Sequence, residues 1–296
     1  MVPLQSWVVG AVEGPPLRVL ITGAGGMVGR EVVEAMYGHD VIGLDRATLD
    51  VTSRDAVLGA ITSTHPDAIV HCAAMTAVDA CETERDRAFL VNALAVRFVM
   101  EAARRAGSYL VTLSTDYVFD GTQAEPYHEW DTPNPTSVYG QSKLAGEFEV
   151  DPSCAVVRTS WVCGRHGGNA VKTILRLAQQ KGKMRFVTDQ RGSPTIVSDL
   201  VGALATFVEE RLPGTWHVTN QGALTWYEFA RVVLLAAGDD PGRVEPIKTA
   251  ELDPPRAATR PANSELDNRA LRLAGRPLLP HYRDSIERLV RELQDA

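Results

Sequence analysis

From Leu17 onward, short runs rich in β-branched residues alternate with longer amphipathic stretches. Arg18-Val19-Leu20-Ile21-Thr22, Asp40-Val41-Ile42-Gly43-Leu44, Ala68-Ile69-Val70-His71-Cys72, Tyr109-Leu110-Val111-Thr112-Leu113 and Ala155-Val156-Val157-Arg158-Thr159 each read as a strand. These runs are apolar almost throughout, which marks strands covered on both faces, and helical periods such as 82–106 lie between them. The alternation predicts an α/β fold built on a doubly wound parallel sheet.

Beyond about residue 165 the rhythm loosens. Helical patterns fall near 168–181, 197–210, 225–237 and 281–294, with one clear strand at Thr215-Trp216-His217-Val218-Thr219. Thr225-Trp226-Tyr227-Glu228 reads as a capping box that opens the third of these helices. The proline-rich stretch 251–261 is expected to be loop, because each proline removes a donor and disfavours helix before it. The organisation predicted is an extension over residues 1–16, a nucleotide-binding domain over 17–165 that strand 215–219 rejoins, and a smaller C-terminal substrate lobe over 166–296 closing over a cleft.

Composition narrows the class. The 296 residues carry 30 basic and 37 acidic side chains, a formal net charge of −7, and 45% apolar content, as in an ordinary globular chain with material for a sizeable core. The acidic balance gives no footprint for a nucleic-acid backbone. Apolar runs of only a few residues, and a start with neither a basic opening nor a long apolar block before a cleavage site, predict neither a membrane span nor secretion. Cysteines at 72, 81, 154 and 163 form no C-x-x-C pair and suit a reducing, cytoplasmic setting. His71, Cys72 and Cys81 match no usual zinc spacing, so no metal site is expected.

Candidate chemistry begins directly after the first strand, at Gly23-Ala24-Gly25-Gly26-Met27-Val28-Gly29. Gly23, Gly26 and Gly29 serve, in a phosphate turn, to make the tight bend, to let backbone approach a pyrophosphate, and to let the helix pack on the strand. The helix N-terminus at Met27 and Val28 then meets negative charge. A plain strand-to-helix turn would also use these glycines; Asp45, at the end of the second strand, turns the balance toward a Rossmann-like dinucleotide site, because a carboxylate there accepts from an adenosine ribose. Arg46 could instead meet a 2′-phosphate, so NADPH and NADH both fit. Asp50 and Val51 fall where the adenine rim should lie, although Asp50 could equally cap the helix after Thr52. Ala73 and Ala74 end the third strand with small side chains over which a cofactor could lie.

Tyr139-Gly140-Gln141-Ser142-Lys143 puts a phenol and an ammonium on one helical face. It follows a fourth strand ending in Leu113-Ser114-Thr115-Asp116-Tyr117, so Thr115 and Tyr139 can meet above the carboxyl edge of the sheet.

The glycine turn, Thr115 and Y-x-x-x-K, in this order, resemble the extended short-chain dehydrogenase/reductase superfamily. The resemblance implies that Tyr139 is the acid or base, that Lys143 lowers its pKa and holds the nicotinamide ribose, and that Thr115 fixes the substrate oxygen. A free tyrosine has a pKa of about 10, so a cationic neighbour brings it nearer the operating range. Longer matches are more specific: Ala73 through Asp79, Ser114 through Gly121, Tyr139 through Glu147, Arg158 through Trp161, Asp189 through Thr195 and Arg260 through Ser264 together resemble the dTDP-4-dehydrorhamnose reductase family. That likeness implies dinucleotide contacts at Ala74, Met75 and Thr76, and deoxysugar-nucleotide contacts at Thr115, Asp116 and Trp161. From the residues alone, Trp161 is either a stacking surface or a core tryptophan. Asn169, Arg191 and Thr195 are further candidates for the nucleotide half.

The implied activity is NAD(P)H-dependent reduction of the C4 ketone of dTDP-4-dehydro-6-deoxy-L-mannose to dTDP-L-rhamnose, with a homodimer left open. A dehydratase would need a second carboxylate after Asp116, where this chain has Tyr117. An epimerase would keep its dinucleotide bound through the cycle. Another nucleotide-sugar 4-ketoreductase, and a non-catalytic regulatory subunit resembling that of methionine adenosyltransferase, stay open as alternatives.

Overall fold

The computed structural model describes residues 15–180 and 182–295; the expected extension over 1–16 therefore lies, up to residue 14, outside the described residues. Six parallel strands make the central sheet: β1 (Arg18–Thr22), β2 (Asp40–Leu44), β3 (Ala68–His71), β4 (Tyr109–Thr115), β5 (Ala155–Thr159) and β6 (Gly214–His217). Their spatial order is β6-β5-β4-β3-β1-β2. The chain steps from β1 to β2 on one side and then crosses to β3 on the other, so loops leaving β1 and β3 diverge and open a crevice at the carboxyl edge. In the next pairings along the sheet, His71 faces Thr112 and Thr115 faces Thr159.

Helices cover both faces, which is why the strands read as unbroken apolar runs. α1 (Met27–Ala35) packs with α6 (Val197–Glu210) on one side; α2 (Arg54–Thr64) packs with α3 (Ala95–Ala106) on the other, beside α4 (Val138–Glu147). The period expected over 82–106 is not one helix. It breaks into Val78–Thr83, Arg85–Phe89 and a π-helical turn at Leu90–Leu94 before α3 starts.

A second apolar core joins α5 (Ala170–Ala178), α7 (Trp226–Ala236) and α8 (Tyr282–Gln294), through Ile174, Phe229, Val233, Ile286 and Leu289. The capping box at the start of α7 is formed: the Thr225 hydroxyl accepts from the Glu228 N–H while the Glu228 carboxylate accepts from the Thr225 N–H. Chain order and packing diverge here. α6 and β6 both follow residue 165, yet Val197, Leu200, Leu204 and Phe207 belong to the core of the large sheet. No helix among the described residues is long and apolar enough to cross a membrane.

Candidate active site

At the end of β1 the chain turns so closely under β3 that no side chain fits. Gly23 has φ +68°, and a Cβ there would stand 2.7 Å from the Ala73 nitrogen. The Gly26 N–H donates to the Gly23 carbonyl at 2.9 Å, closing the turn. A Cβ on Gly29 would lie 2.3 Å from that same carbonyl, so the first turn of α1 rests directly on the loop. Met27 and Val28 open α1 behind Gly26, with no capping side chain and no acidic residue in the first turn. The N–H groups there are left for an anion, and this glycine-walled cradle fits a dinucleotide pyrophosphate.

Asp45 stands beside that cradle: a Cβ on Gly25 would touch the Asp45 Cβ at 3.2 Å. Its Oδ1 accepts from the N–H groups of Ala47 (2.9 Å) and Thr48 (3.0 Å), and the Thr48 hydroxyl holds the carboxyl below its ordinary pKa. Asp50 is exposed and its carboxylate accepts from the Thr52 N–H and hydroxyl; the cap of α2 is Ser53, which accepts from the Ala56 N–H, and not Asp50. Val51 follows at the same rim, half-buried.

Ala74, Met75 and Thr76 leave the tip of β3, and their course is set by a residue that sequence reasoning passed over. Asn92 accepts from the Met75 N–H at 2.8 Å and donates to the Met75 carbonyl (3.0 Å) and the Ser142 hydroxyl (3.0 Å). It sits in the π-helical turn, whose extra residue points this amide inward to tie the β3 loop to α4.

α4 carries Tyr139 and Lys143. Ser137 caps it by accepting from the Gly140 N–H at 3.1 Å, and a Cβ on Gly140 would lie 2.1 Å from the Tyr117 carbonyl. The helix is therefore pressed against the short turn Asp116–Val118 that follows β4, and the rings of Tyr139 and Tyr117 meet edge to face at 5.7 Å. Thr115 donates to the Asp116 carboxylate at 3.0 Å and neighbours the Tyr139 phenol. Burial raises the phenol above its ordinary pKa, with the Thr115 hydroxyl opposing. Lys143 is buried and donates to the Leu113 carbonyl at 2.7 Å; burial lowers its pKa to about 8. The expected depression of the phenol by Lys143 is not a feature of this arrangement, because the ammonium is turned onto the strand carbonyl and loss of water dominates at Tyr139. Burial also lifts Asp116 to about 7, against the hydrogen bond from Thr115, and its Oδ2 has no partner.

Beside Tyr117 opens a cavity of about 380 Å³, also lined by Phe186, Trp226, Arg185, Arg256 and Arg260. Arg260 is gripped by Asp79, with 2.9 and 2.7 Å contacts, which draws the loop after Leu252 across the β3 end of the sheet. The sequence marks this loop by its prolines and by the family-resembling stretch Arg260 through Ser264, but nothing in its spacing says which element its arginines face.

Trp161 lies in an aromatic stack. It is half-buried, with its ring 3.7 Å from that of Trp226 and nearly parallel, and Phe229 abuts both edge to face. Trp226 lines the cavity while Trp161 backs it. Asn169 caps α5 and donates to the Gly164 carbonyl beside Met27, on the dinucleotide side of the crevice, and Arg191 pairs with Glu265. Thr195 is buried with no partner for its hydroxyl. Among the described residues, no group of three or more metal-ligating side chains converges.

The profile described as RmlD substrate binding domain matches residues 17–295. The dTDP-4-dehydrorhamnose reductase of Streptomyces griseus is 40% identical over 283 residues, covering 92% of each chain. The chain belongs to the dTDP-4-dehydrorhamnose reductase family. A dTDP-4-keto-6-deoxy-D-glucose reductase of Streptomyces niveus is 37% identical, covering 90% of this chain and 93% of its own. Among solved structures, the dTDP-4-dehydrorhamnose reductase of Bacillus anthracis str. Ames, in complex with NADP, superposes with a TM-score of 0.90 at 38% identity, covering 94% of this chain and 99% of that one. The chain shares with this reductase family its extended short-chain dehydrogenase fold over almost its whole length.

Proposed function

We propose that this protein is an NAD(P)H-dependent reductase that converts the C4 ketone of dTDP-4-dehydro-6-deoxy-L-mannose to the alcohol of dTDP-L-rhamnose. The observation that carries the reading is the position of Tyr139. Its phenol stands beside Thr115, and its ring meets that of Tyr117, which lines the arginine-rich cavity.

Gly23, Gly26, Met27, Val28 and Gly29, with Asp45, Asp50 and Val51 at the rim and Ala74, Met75 and Thr76 at the strand tip, would hold a reduced dinucleotide, which would supply the hydride. Tyr139 supplies the proton that the ketone oxygen takes up. A phenol raised by burial keeps that proton at neutral pH, as an acid must. Lys143 holds a buried positive charge on the same helix face, so it favours the phenolate only as that charge develops. The Thr115 hydroxyl, beside the phenol, donates to Asp116 in the free site and would turn from that carboxylate to donate to the ketone oxygen. Arg185, Arg256 and Arg260 supply the charge that a nucleoside diphosphate needs, and the Trp226–Trp161 stack supplies an apolar wall. The four unpaired cysteines suit a cytoplasmic setting.

The Streptomyces niveus relative favours a second reading, reduction of a C4 ketone on a different deoxysugar. Purified enzyme, assayed by nicotinamide absorbance with NADPH or NADH and a panel of dTDP- and UDP-4-keto sugars, separates the two. The proposal expects turnover with dTDP-4-dehydro-6-deoxy-L-mannose and dTDP-L-rhamnose as product. Turnover confined to another sugar nucleotide supports the second reading. Nicotinamide binding with no oxidation on any sugar, and co-purification of a synthetase, would support a regulatory subunit.

A further inference from the structure

Beneath the catalytic residues lies a buried ionic cluster that the chemistry above does not use. Glu147 and Arg158 form an ion pair whose side chains are only 7% and 6% exposed. The pairing is two-pronged: Arg158 Nε donates to Glu147 Oε1 at 2.9 Å, and Nη2 donates to Oε2 at 2.7 Å. The Ser114 hydroxyl also donates to Oε1. Arg158 is further enclosed by the Phe119 ring, 5.2 Å from its guanidinium carbon, and by His217, which burial keeps neutral.

A buried ion pair is weak as a stabilising device, since desolvation offsets most of its attraction and apolar residues of like volume do as well. Position gives this one a purpose. Glu147 is one turn beyond Lys143 on α4, two turns beyond Tyr139, and its three bonds reach β4 at Ser114, next to Thr115, and β5 at Arg158. It is the point where the helix bearing the phenol and the ammonium is fastened to the strand bearing the hydroxyl. We infer that Glu147, held by Arg158 and Ser114, is a positioning residue that sets α4 against β4 and places a negative charge behind the Lys143 ammonium. The inference rests on the reductase reading of the Tyr139 site.

The groups that face Lys143 are Glu147 on its own helix and Cys72 and His71 at the tip of β3. Cys72 is a half-buried thiol whose loss of water pushes it up to about 12, and the buried His71 is neutral, held down to about 3, so near neutral pH Glu147 is the charge among them that favours the ammonium. Neutralising it should therefore release the Lys143 proton at lower pH.

The test uses the full chain, NADPH and dTDP-4-dehydro-6-deoxy-L-mannose, with kcat and KM measured across pH beside thermal unfolding. Glu147→Gln is expected to lower kcat about 10-fold or more, since small misplacements of reacting groups cost that much. KM for the sugar should change little, and the alkaline limb of kcat should move to lower pH. Glu147→Asp should recover part of both. Ser114→Ala, which spares the ion pair, decides the matter should Glu147→Gln fail to fold: a several-fold loss of kcat at constant KM is expected. Arg97→Gln, which breaks the exposed Arg97–Glu149 pair, is the control and should leave the pH profile unchanged. Folded variants with unaltered kcat and an unmoved alkaline limb would overturn the inference while leaving the reductase reading intact. A wild-type chain without turnover would remove both.

Discussion

Asp116 shows how one side chain can trade stability for placement. It is 2% exposed, one carboxylate oxygen has no partner, and burial raises its pKa to about 7 from an ordinary value near 4. A raised folded-state pKa means that the folded chain holds a proton the unfolded chain has released. The associated stability is complete below about pH 4 and is lost as pH rises through about 7, a difference on the order of a few kcal/mol. Asp116→Asn removes the titration. Urea unfolding at pH 5 and pH 8 should show the variant gaining stability relative to wild type at the higher pH, while kcat falls. Sequence reasoning could reach Asp116, because it adjoins Thr115 in a motif, but could not reach its burial. Asn92 is hidden more deeply, since a lone asparagine in a helical period carries no local signal, and Arg260, although it stands in a stretch that resembles the reductase family, has its partner Asp79 set only by tertiary contact.

Elements whose identity is set locally were the most legible. Strands β1, β3, β4 and β5 stand out because burial on both faces writes a continuous apolar run, the half-exposed edge strand β2 because of its Val41-Ile42, and the α7 capping box because its two partners are three residues apart. The short pairs Met184–Val187 with Val244–Ile247, and Arg191–Gly192 with Leu224–Thr225, were not, since strands of two to four residues form only when a distant partner arrives. The broken helix before α3 reads as continuous because its interruptions, at Glu84 and in the π-helical turn, carry no glycine or proline to mark them. The junction of β1 with α1 is the element on which dinucleotide affinity depends. Gly29→Ala puts a methyl against the Gly23 carbonyl, so α1 must lift from the loop. The expected result is a 10-fold or greater rise in the NADPH Kd with a lowered melting temperature, read by fluorescence titration and thermal unfolding.

At the scale of the whole molecule, the protein joins a dinucleotide crevice on a parallel sheet to an arginine-lined cavity against a second core. The seam between them is fastened by Asp79, just beyond β3, and Arg260, far along the chain. That pair holds Asp79 at a pKa of about 2, because the Arg260 guanidinium donates directly to the carboxylate. Arg260→Gln removes the grip and one charge from the cavity. Steady-state kinetics should show KM for the sugar nucleotide rising roughly 10- to 100-fold, with the NADPH Kd unchanged. An unchanged KM would detach the cavity from the sugar nucleotide.

In the proposed reaction a proton from Tyr139 reaches a ketone held between crevice and cavity. Tyr139→Phe deletes the hydroxyl and little else, so the measurement is kcat of this variant with NADPH and dTDP-4-dehydro-6-deoxy-L-mannose, set beside its NADPH Kd. A fall in kcat of about 100-fold or more with the Kd near that of wild type is the predicted result; turnover close to the wild-type rate would contradict the assignment of this site.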